Sequence, residues 1–253
     1  MRLLRIAREV WVGISRAWQT THTICGAGGA LIIDGPVLPD ELTALAAHAR
    51  PARLIATHAD WDHVLAPLAF PRVRLRAGRS TIGRLRDDRG AIGGALDAWD
   101  AAQGGAPRRL PDWSVAEPLE APAIIDSPIG PIAIAATPGH TPDGIALLLT
   151  EPGILVVGDY ASPREIPAVD PSAGCAAYLA TIGRLAELAG RARCVVPGHG
   201  WPIAAARART ILAEDRRYVE ALAGGQAPPL PRAAADPAQQ LQHRANRAAA
   251  RER

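Results

Sequence analysis

Short apolar runs in this sequence end repeatedly at a histidine or an aspartate. Residues 54–56 come just before His58, residues 132–135 before His140, residues 154–157 before Asp159, and residues 194–196 before His199. Glycine and proline separate many of these runs, which is the pattern of short strands in a buried sheet. The chain must therefore fold so that the loops at several strand ends carry polar side chains.

The densest of these loops is the heptapeptide 57–63, in which two histidines and two aspartates lie within six positions. Imidazoles and carboxylates are common ligands of divalent cations, and a loop at a strand end can turn alternate side chains toward one point. In an extended run, residues 58, 60 and 62 share one face, and His63 points elsewhere, toward a second centre. The alternative is a solvated acidic loop whose histidines cap backbone groups.

The later strand ends add three candidates in similar settings. His140 lies on a tight turn, Asp159 ends one of the most apolar runs, and His199 follows Pro-Gly at the last predicted strand. So many histidines and aspartates at strand ends favour a shared metal site over a separate structural role for each residue. The candidate metal ligands are His58, Asp60, Asp62, His63, His140, Asp159 and His199.

Composition limits the remaining classes of function. The 253 residues are 48% apolar and 21% charged, which is typical of a globular chain with a sizeable core. The net charge of +3 is too small to indicate nucleic-acid binding. We expect no membrane span and a cytoplasmic location. The three cysteines are far apart and odd in number, so no disulfide framework is expected.

The remaining sequence predicts alternating strands and helices. Helices are expected over residues 40–50, 79–102, 172–188 and 202–223, with a break near Gly90 and Gly93-Gly94 in the second. Residues 1–225 are predicted to form one domain. Residues 226–253 are predicted to form a proline-rich linker and a tail that is a peripheral helix or partly disordered. His22, isolated on a strand, is predicted to be structural.

At this point the sequence resembles the metallo-beta-lactamase superfamily, whose pattern is H-x-H-x-D-H, a later histidine, a bridging aspartate and a final histidine. The corresponding segments here are residues 58–63, Pro-Gly-His-Thr around His140, Gly-Asp-Tyr around Asp159, and Pro-Gly-His-Gly around His199. The resemblance covers roughly residues 8–220 and is to the glyoxalase-II-like branch. It implies an α/β fold, a four-layer αββα sandwich with two metals at one edge of the sheets.

The resemblance also implies which residues bind each of the two metals. One metal would take His58, Asp60 and His140, and the other would take Asp62, His63 and His199, with Asp159 bridging them. A water or hydroxide shared by the two divalent ions would be the nucleophile. Zinc is favoured, with iron or manganese as alternatives. Asp62 is also the candidate catalytic residue, because its carboxylate could shuttle a proton.

One position departs from the family pattern, because Asp60 stands where the family usually has a second histidine. Two histidines and one carboxylate form a set used by hydrolytic zinc sites and by non-haem iron centres. Asp60, Asp62 and Asp159 also bring three negative charges to the centre, against two in the usual pattern. This additional negative charge favours harder metals, such as manganese or iron, relative to zinc.

The favoured function is metal-dependent hydrolysis of a small ester, thioester, lactone or amide. The alternatives are an iron-dependent oxidoreductase similar to a sulfur dioxygenase, a phosphodiesterase, and a binding module without activity. The small-molecule cleft is expected to take its walls from residues 72–112 and 161–165, and no nucleic-acid partner is expected. Trp61 is expected to pack beneath the ligand loop.

We predict that Asp60→Ala lowers the metal content, because the first metal then loses one of its ligands. Asp60→His should give a folded, metal-loaded protein, since imidazole offers an equivalent donor. Elemental analysis of the purified variants, as moles of metal per chain, measures both. An unchanged metal content in Asp60→Ala would contradict the assignment of Asp60 as a ligand.

Overall fold

The structure is a computed structural model that describes residues 1–233 and 235–251. Its first sheet contains seven strands in chain order. The strands are β1 (Arg2–Ala7), β2 (Val10–Ile14), β3 (Thr21–Cys25), β4 (Leu31–Ile33), β5 (Arg53–Ala56), β6 (Leu75–Gly78) and β7 (Glu117–Leu119). Strands β1 to β4 pair antiparallel and β4 to β7 pair parallel.

The second sheet contains six strands and begins after the first is complete. The strands are β8 (Ala123–Ile125), β9 (Ile132–Ala136), β10 (Ile145–Leu149), β11 (Ile154–Val156), β12 (Cys194–Val196) and β13 (Ile203–Ala204). Their spatial order is β13-β12-β11-β10-β9-β8. Only the β11–β12 pair is parallel among these described strands.

The helices lie on the outer faces of the two sheets. They are α1 (Pro39–His48), α2 (Ala66–Ala69), α3 (Arg79–Asp87), α4 (Arg89–Ala102), α5 (Gly174–Ala189), α6 (Ala205–Ala223) and α7 (Pro237–Arg251). Apolar side chains of α1, α3 and α4 pack with the first sheet, and those of α5 and α6 pack with the second. None of the helices in the described ranges is long and apolar enough to cross a bilayer.

The alternation of side chains along β10 explains why the fold has four layers. Ile145, Leu147 and Leu149 enter the core between the two sheets, whereas Ala146 and Leu148 pack under α5 and α6. Successive side chains of a strand point to opposite faces, so a strand that is apolar throughout needs cover on both sides. The architecture is therefore helix, sheet, sheet, helix, which confirms the predicted αββα sandwich.

The helical stretch predicted over 79–102 is interrupted at a different place from the one expected. Helix α3 ends at Asp87 and α4 begins at Arg89, whereas Gly90, Gly93 and Gly94 lie inside α4. A side chain at Gly93 would have its Cβ 2.9 Å from Leu110 Cδ1. That glycine is explained by the close approach of residue 110 to the helix and not by a break in the helix.

The C-terminal helix α7 packs on α6 and on the loop that follows the strand β11. The buried side chain of Gln239 accepts a hydrogen bond from the backbone N–H of Ile166 at 2.8 Å. Asn246 accepts one from the N–H of Val169 and donates one to the carbonyl of Pro167. The helix therefore satisfies backbone groups of that loop. The division expected at residue 225 stays a prediction.

His22 on β3 is a buried histidine outside the cluster of candidate ligands. Neither of its ring nitrogens has a hydrogen-bond partner within the described residues, and burial lowers its pKa to about 4. A Cβ at Gly13 on the paired strand would lie 2.1 Å from His22 Cε1, so the glycine makes room for the imidazole. The side chain fills the interior as a neutral group.

We predict that His22 contributes to acid sensitivity. Its folded pKa of about 4 lies below the unfolded value, so the unfolded state binds the proton first as the pH falls below about 6.5. From pH 7 to pH 5 this linkage should reduce the free energy of unfolding by about 2 kcal/mol.

Urea unfolding of the wild type and of His22→Leu at both pH values, in chelator, tests this. The wild type should lose about 2 kcal/mol more than the variant between pH 7 and pH 5. His22→Gln, which is polar but does not ionise, should behave like His22→Leu. An equal loss in wild type and both variants would contradict the prediction.

Candidate metal centre

Four of the candidate ligands meet where the loops after β5, β9 and β11 come together. The Nε2 atom of His140 lies 3.3 Å from Asp60 Oδ2 and 3.2 Å from Asp159 Oδ2. The Nε2 atom of His58 lies 3.5 Å and 3.7 Å from the same two oxygens. One ligand atom from each residue lies within 4.8 Å of the others, which is close enough for them to hold one cation.

A second group forms beside the first. The Nε2 atoms of His63 and His199 lie 3.5 Å and 3.3 Å from Asp62 Oδ2. The carboxylate of Asp159 is 3.1 Å from His63 Nε2 and 3.3 Å from His199 Nε2. Asp159 therefore contacts both groups, and the structure brings all seven candidate residues together.

The backbone of the heptapeptide explains how adjacent residues serve different groups. Asp60 is extended, with φ −67° and ψ 140°, but residues Trp61–His63 form a 3-10 turn. An extended run would place Asp62 on the face of His58 and Asp60, whereas the structure places it beside His63 and His199. A 3-10 turn rises less per residue than an extended strand. The side chains of Asp62 and His63 therefore both reach the second group.

Asp34, at the end of β4, orients two of the histidines from behind. Its Oδ1 accepts a hydrogen bond from the N–H of Thr57, and its Oδ2 accepts one from the Thr57 hydroxyl. Because the hydroxyl hydrogen of Thr57 is donated to Asp34, the hydroxyl oxygen accepts a hydrogen bond from the Nδ1–H of His58 at 2.9 Å. His63 Nδ1 lies 3.1 Å from Asp34 Oδ2 and donates to it. Both histidines thus turn Nε2 toward the cluster.

The other two histidines have acceptors at the corresponding position. His140 Nδ1 is 3.3 Å from the carbonyl oxygen of Ala168, and His199 Nδ1 is 3.3 Å from that of Trp18. A carbonyl oxygen only accepts, so each Nδ1 carries a hydrogen and each Nε2 faces inward. All four imidazoles therefore present the same ring nitrogen to the centre.

The donor atoms of the cluster fit a bound cation. Buried His58 Nε2, His63 Nε2 and Asp159 Oδ1 have no hydrogen-bond partner within the described part of the chain. Buried polar atoms without partners are unfavourable unless an ion or water binds them. At Gly198, a Cβ would lie 1.9 Å from Asp159 Oδ1, so only glycine leaves that oxygen its place.

The electrostatics of the cluster also favour positive charge. Burial lowers the pKa of His63, but the carboxylates of Asp159 and Asp62 outweigh it and raise that pKa well above its ordinary value. Burial also lowers the pKa of His199, but the negative charges of Asp159 and Glu165 outweigh it and raise that pKa to about 9. Protons and metal cations therefore compete for these imidazoles.

Three residues around the cluster were not predicted as functional. Asp34 ends a strand, as the ligands do, and only that position pointed to it. Glu165 lies in the segment expected to wall the cleft, and its Oε1 is 3.8 Å from His199 Nδ1. Burial, with the negative charge of Asp159 and Asp62, raises the pKa of Glu165. Arg84 of α3 reaches Asp60, although its helix looks like an ordinary solvated one.

Three indoles pack together next to the heptapeptide. The ring of Trp61 lies 5.5 Å from that of Trp18 and 5.4 Å from that of Trp99 on α4. Trp61 also packs against the core under the first sheet, whereas Trp18 is 46% exposed. Trp61 therefore supports the ligand loop from outside, as expected. A separate groove of about 760 Å³ between residues 67–75 and 109–115 contains none of the candidate ligands.

Solved structures with this fold are similar over most of the chain. A beta-lactamase domain protein from Burkholderia ambifaria is 20% identical, with a TM-score of 0.64 over 88% of this chain and 74% of its own. A metallo-beta-lactamase superfamily protein from the archaeon Sulfolobus tokodaii is 16% identical, with a TM-score of 0.64 over 92% and 93%. At these identities the likeness concerns the fold alone.

A stereoselective inverting sec-alkylsulfatase from Pseudomonas sp. is 17% identical, with a TM-score of 0.65 over 88% of this chain but 42% of the sulfatase. Among curated proteins, none matches this sequence. The sequence model of the metallo-beta-lactamase superfamily matches residues 24–199, a range that contains all seven candidate ligands. The chain therefore belongs to the metallo-beta-lactamase superfamily.

Proposed function

We propose that the protein is a dinuclear metal-dependent hydrolase that acts on a small ester, thioester, lactone or amide. The observation that carries the proposal is the convergence of four imidazole Nε2 atoms on the carboxylate of Asp159, at 3.1 to 3.7 Å. In a purely structural cluster these polar atoms would bond to one another. Here His58 Nε2, His63 Nε2 and Asp159 Oδ1 have no hydrogen-bond partner within the described residues. Such convergence is typical of a site built for cations.

The proposed ligand assignment follows the two groups. His58, Asp60 and His140 would hold one ion, Asp62, His63 and His199 would hold the other, and Asp159 would contact both. When bound, two divalent ions, zinc being favoured, would activate a water and polarise the carbonyl of the substrate. The outer hydrogen bonds of the histidines keep their Nε2 atoms fixed for this task.

The role proposed for Asp62 is to ligate and to hold a proton. Its Oδ2 lies 3.3 Å from His199 Nε2 and accepts a hydrogen bond from the hydroxyl of Thr20 at 3.4 Å. Thr20 thus fixes the carboxylate that faces the second group. A carboxylate so placed can accept a proton from the attacking water and deliver it to the leaving group.

Asp60 favours one alternative, an iron-dependent oxidoreductase. Its Oδ2 faces the Nε2 atoms of His58 and His140, which is a set of two imidazoles and one carboxylate. This set suits iron as well as zinc. The identity of the bound metal separates the two functions.

We predict that Asp159→Ala loses metal from both groups, because the carboxylate contacts all four histidines. Elemental analysis should give near two metals per chain for the wild type and well below one for the variant. Asp97→Ala, at an exposed position of α4, is the matched control and should keep the wild-type content. Near two metals per chain in Asp159→Ala would contradict the shared role.

We predict that protein expressed without added metal contains mainly zinc and hydrolyses members of an ester, thioester and lactone panel. An alkyl sulfate and a phosphodiester should be included to define the bond that is cleaved. Chelation should lower the rate at least about 100-fold, and added zinc should restore it.

Activity that survives complete removal of the metal would contradict the hydrolase proposal. Protein that contains mainly iron, consumes oxygen with thiol substrates and leaves the panel intact would favour the oxidoreductase. Both outcomes are read from the same preparation, because metal content, oxygen uptake and hydrolysis are measured in parallel.

A further inference from the structure

Arg84 lies between a candidate ligand and a buried carboxylate. Its Nη2 donates to Asp60 Oδ1 at 2.7 Å, and its Nη1 donates to Asp143 Oδ1 at 3.0 Å. The side chain of Arg84 is 21% exposed and that of Asp143 is 2% exposed. Charge-assisted hydrogen bonds of this length are stronger than those between neutral groups, and this site is partly buried.

The two oxygens of Asp60 have different partners. Oδ1 accepts the hydrogen bond from Arg84, whereas Oδ2 faces the Nε2 atoms of His58 and His140. Asp60 therefore offers a cation one oxygen and not two. The guanidinium also offsets part of the negative charge that the carboxylate brings to the centre.

Asp143 extends the contact to a second loop. Its Oδ2 accepts a hydrogen bond from the backbone N–H of Ala59 at 3.0 Å, next to Asp60. Its own carbonyl accepts one from the hydroxyl of Thr141, which follows His140. Arg84 thus connects α3 to both loops that supply the first group.

We propose that Arg84 is a positioning residue that limits Asp60 to one ligating oxygen and offsets part of its negative charge. Asp60 with Arg84 then takes the place of an imidazole ligand. The inference rests on the proposed metal site. Arg84 also helps the chain to tolerate a third carboxylate in the cluster, because the guanidinium, which Asp143 and Asp88 share, offsets part of the additional charge. Lysine at this position would supply charge but not two diverging N–H donors in one plane.

The test is the effect of Arg84→Met on zinc affinity in two backgrounds. In the otherwise wild-type chain, Arg84→Met should bind one of its two zinc ions at least about 10-fold less tightly. A loss of this size is usual when a partner that orients a ligand is removed. In the Asp60→His background, the same change should have an effect within about twofold or should tighten binding, because a neutral imidazole needs no guanidinium. Competition with a chromogenic chelator measures both affinities.

Two controls separate positioning from folding. Arg86→Met makes the same change on an exposed arginine of α3 and should leave zinc affinity unchanged. Arg84→Met/Asp143→Asn removes the buried carboxylate that would otherwise lose its partner, and it should fold while still showing the loss of affinity. Arg84→Lys should recover only part of the affinity. Thermal unfolding of each metal-free variant reports folding separately.

An equal loss of affinity in both backgrounds would overturn the proposal, because Arg84 would then act only through the fold. Wild-type affinity in Arg84→Met would overturn it as well. These outcomes differ from failure of the proposed function. A wild type that binds two zinc ions but hydrolyses nothing in the panel would refute the hydrolase, while the zinc titrations would still decide the role of Arg84.

Discussion

The attraction between one carboxylate and four imidazoles is the interaction on which this structure depends. Asp159 lies within 3.7 Å of the Nε2 atoms of His58, His63, His140 and His199, which come from three separate parts of the chain. Desolvating so many polar groups opposes folding unless each has a partner. The fold gathers these groups by ending four strands of two different sheets at one edge and by leaving space for the carboxylate at Gly198.

Much of this arrangement follows from local sequence, because strand ends can be identified from apolar runs and the ligands are of recognisable types. The four layers follow from strands such as β10 that are apolar on both faces. The roles of Arg84, Asp34 and Glu165 could not be predicted in this way. Each acts through a partner at least 24 positions away in the chain, so no spacing pattern records the contact.

At two places the local conformation depends on tertiary contacts that the sequence pattern does not record. An extended backbone would put Asp62 on the face of His58 and Asp60, whereas the 3-10 turn over Trp61–His63 puts it beside His63 and His199, the grouping that the family resemblance implies. The break expected at the glycines of α4 assumed that glycine interrupts a helix. Gly93 instead allows residue 110 to pack closely, and the helix continues through it.

The contacts of α7 bear on how the loop that carries Glu165 is held. Gln239 and Asn246 bond to the backbone of residues 166, 167 and 169, in the same loop that carries Glu165 toward the cluster. Both lie outside residues 24–199, the part that the superfamily shares. The conformation of that loop is therefore determined partly by amide side chains that contact its backbone. Moving Glu165 relative to the cluster therefore requires variation at those buried positions as well as in the loop itself.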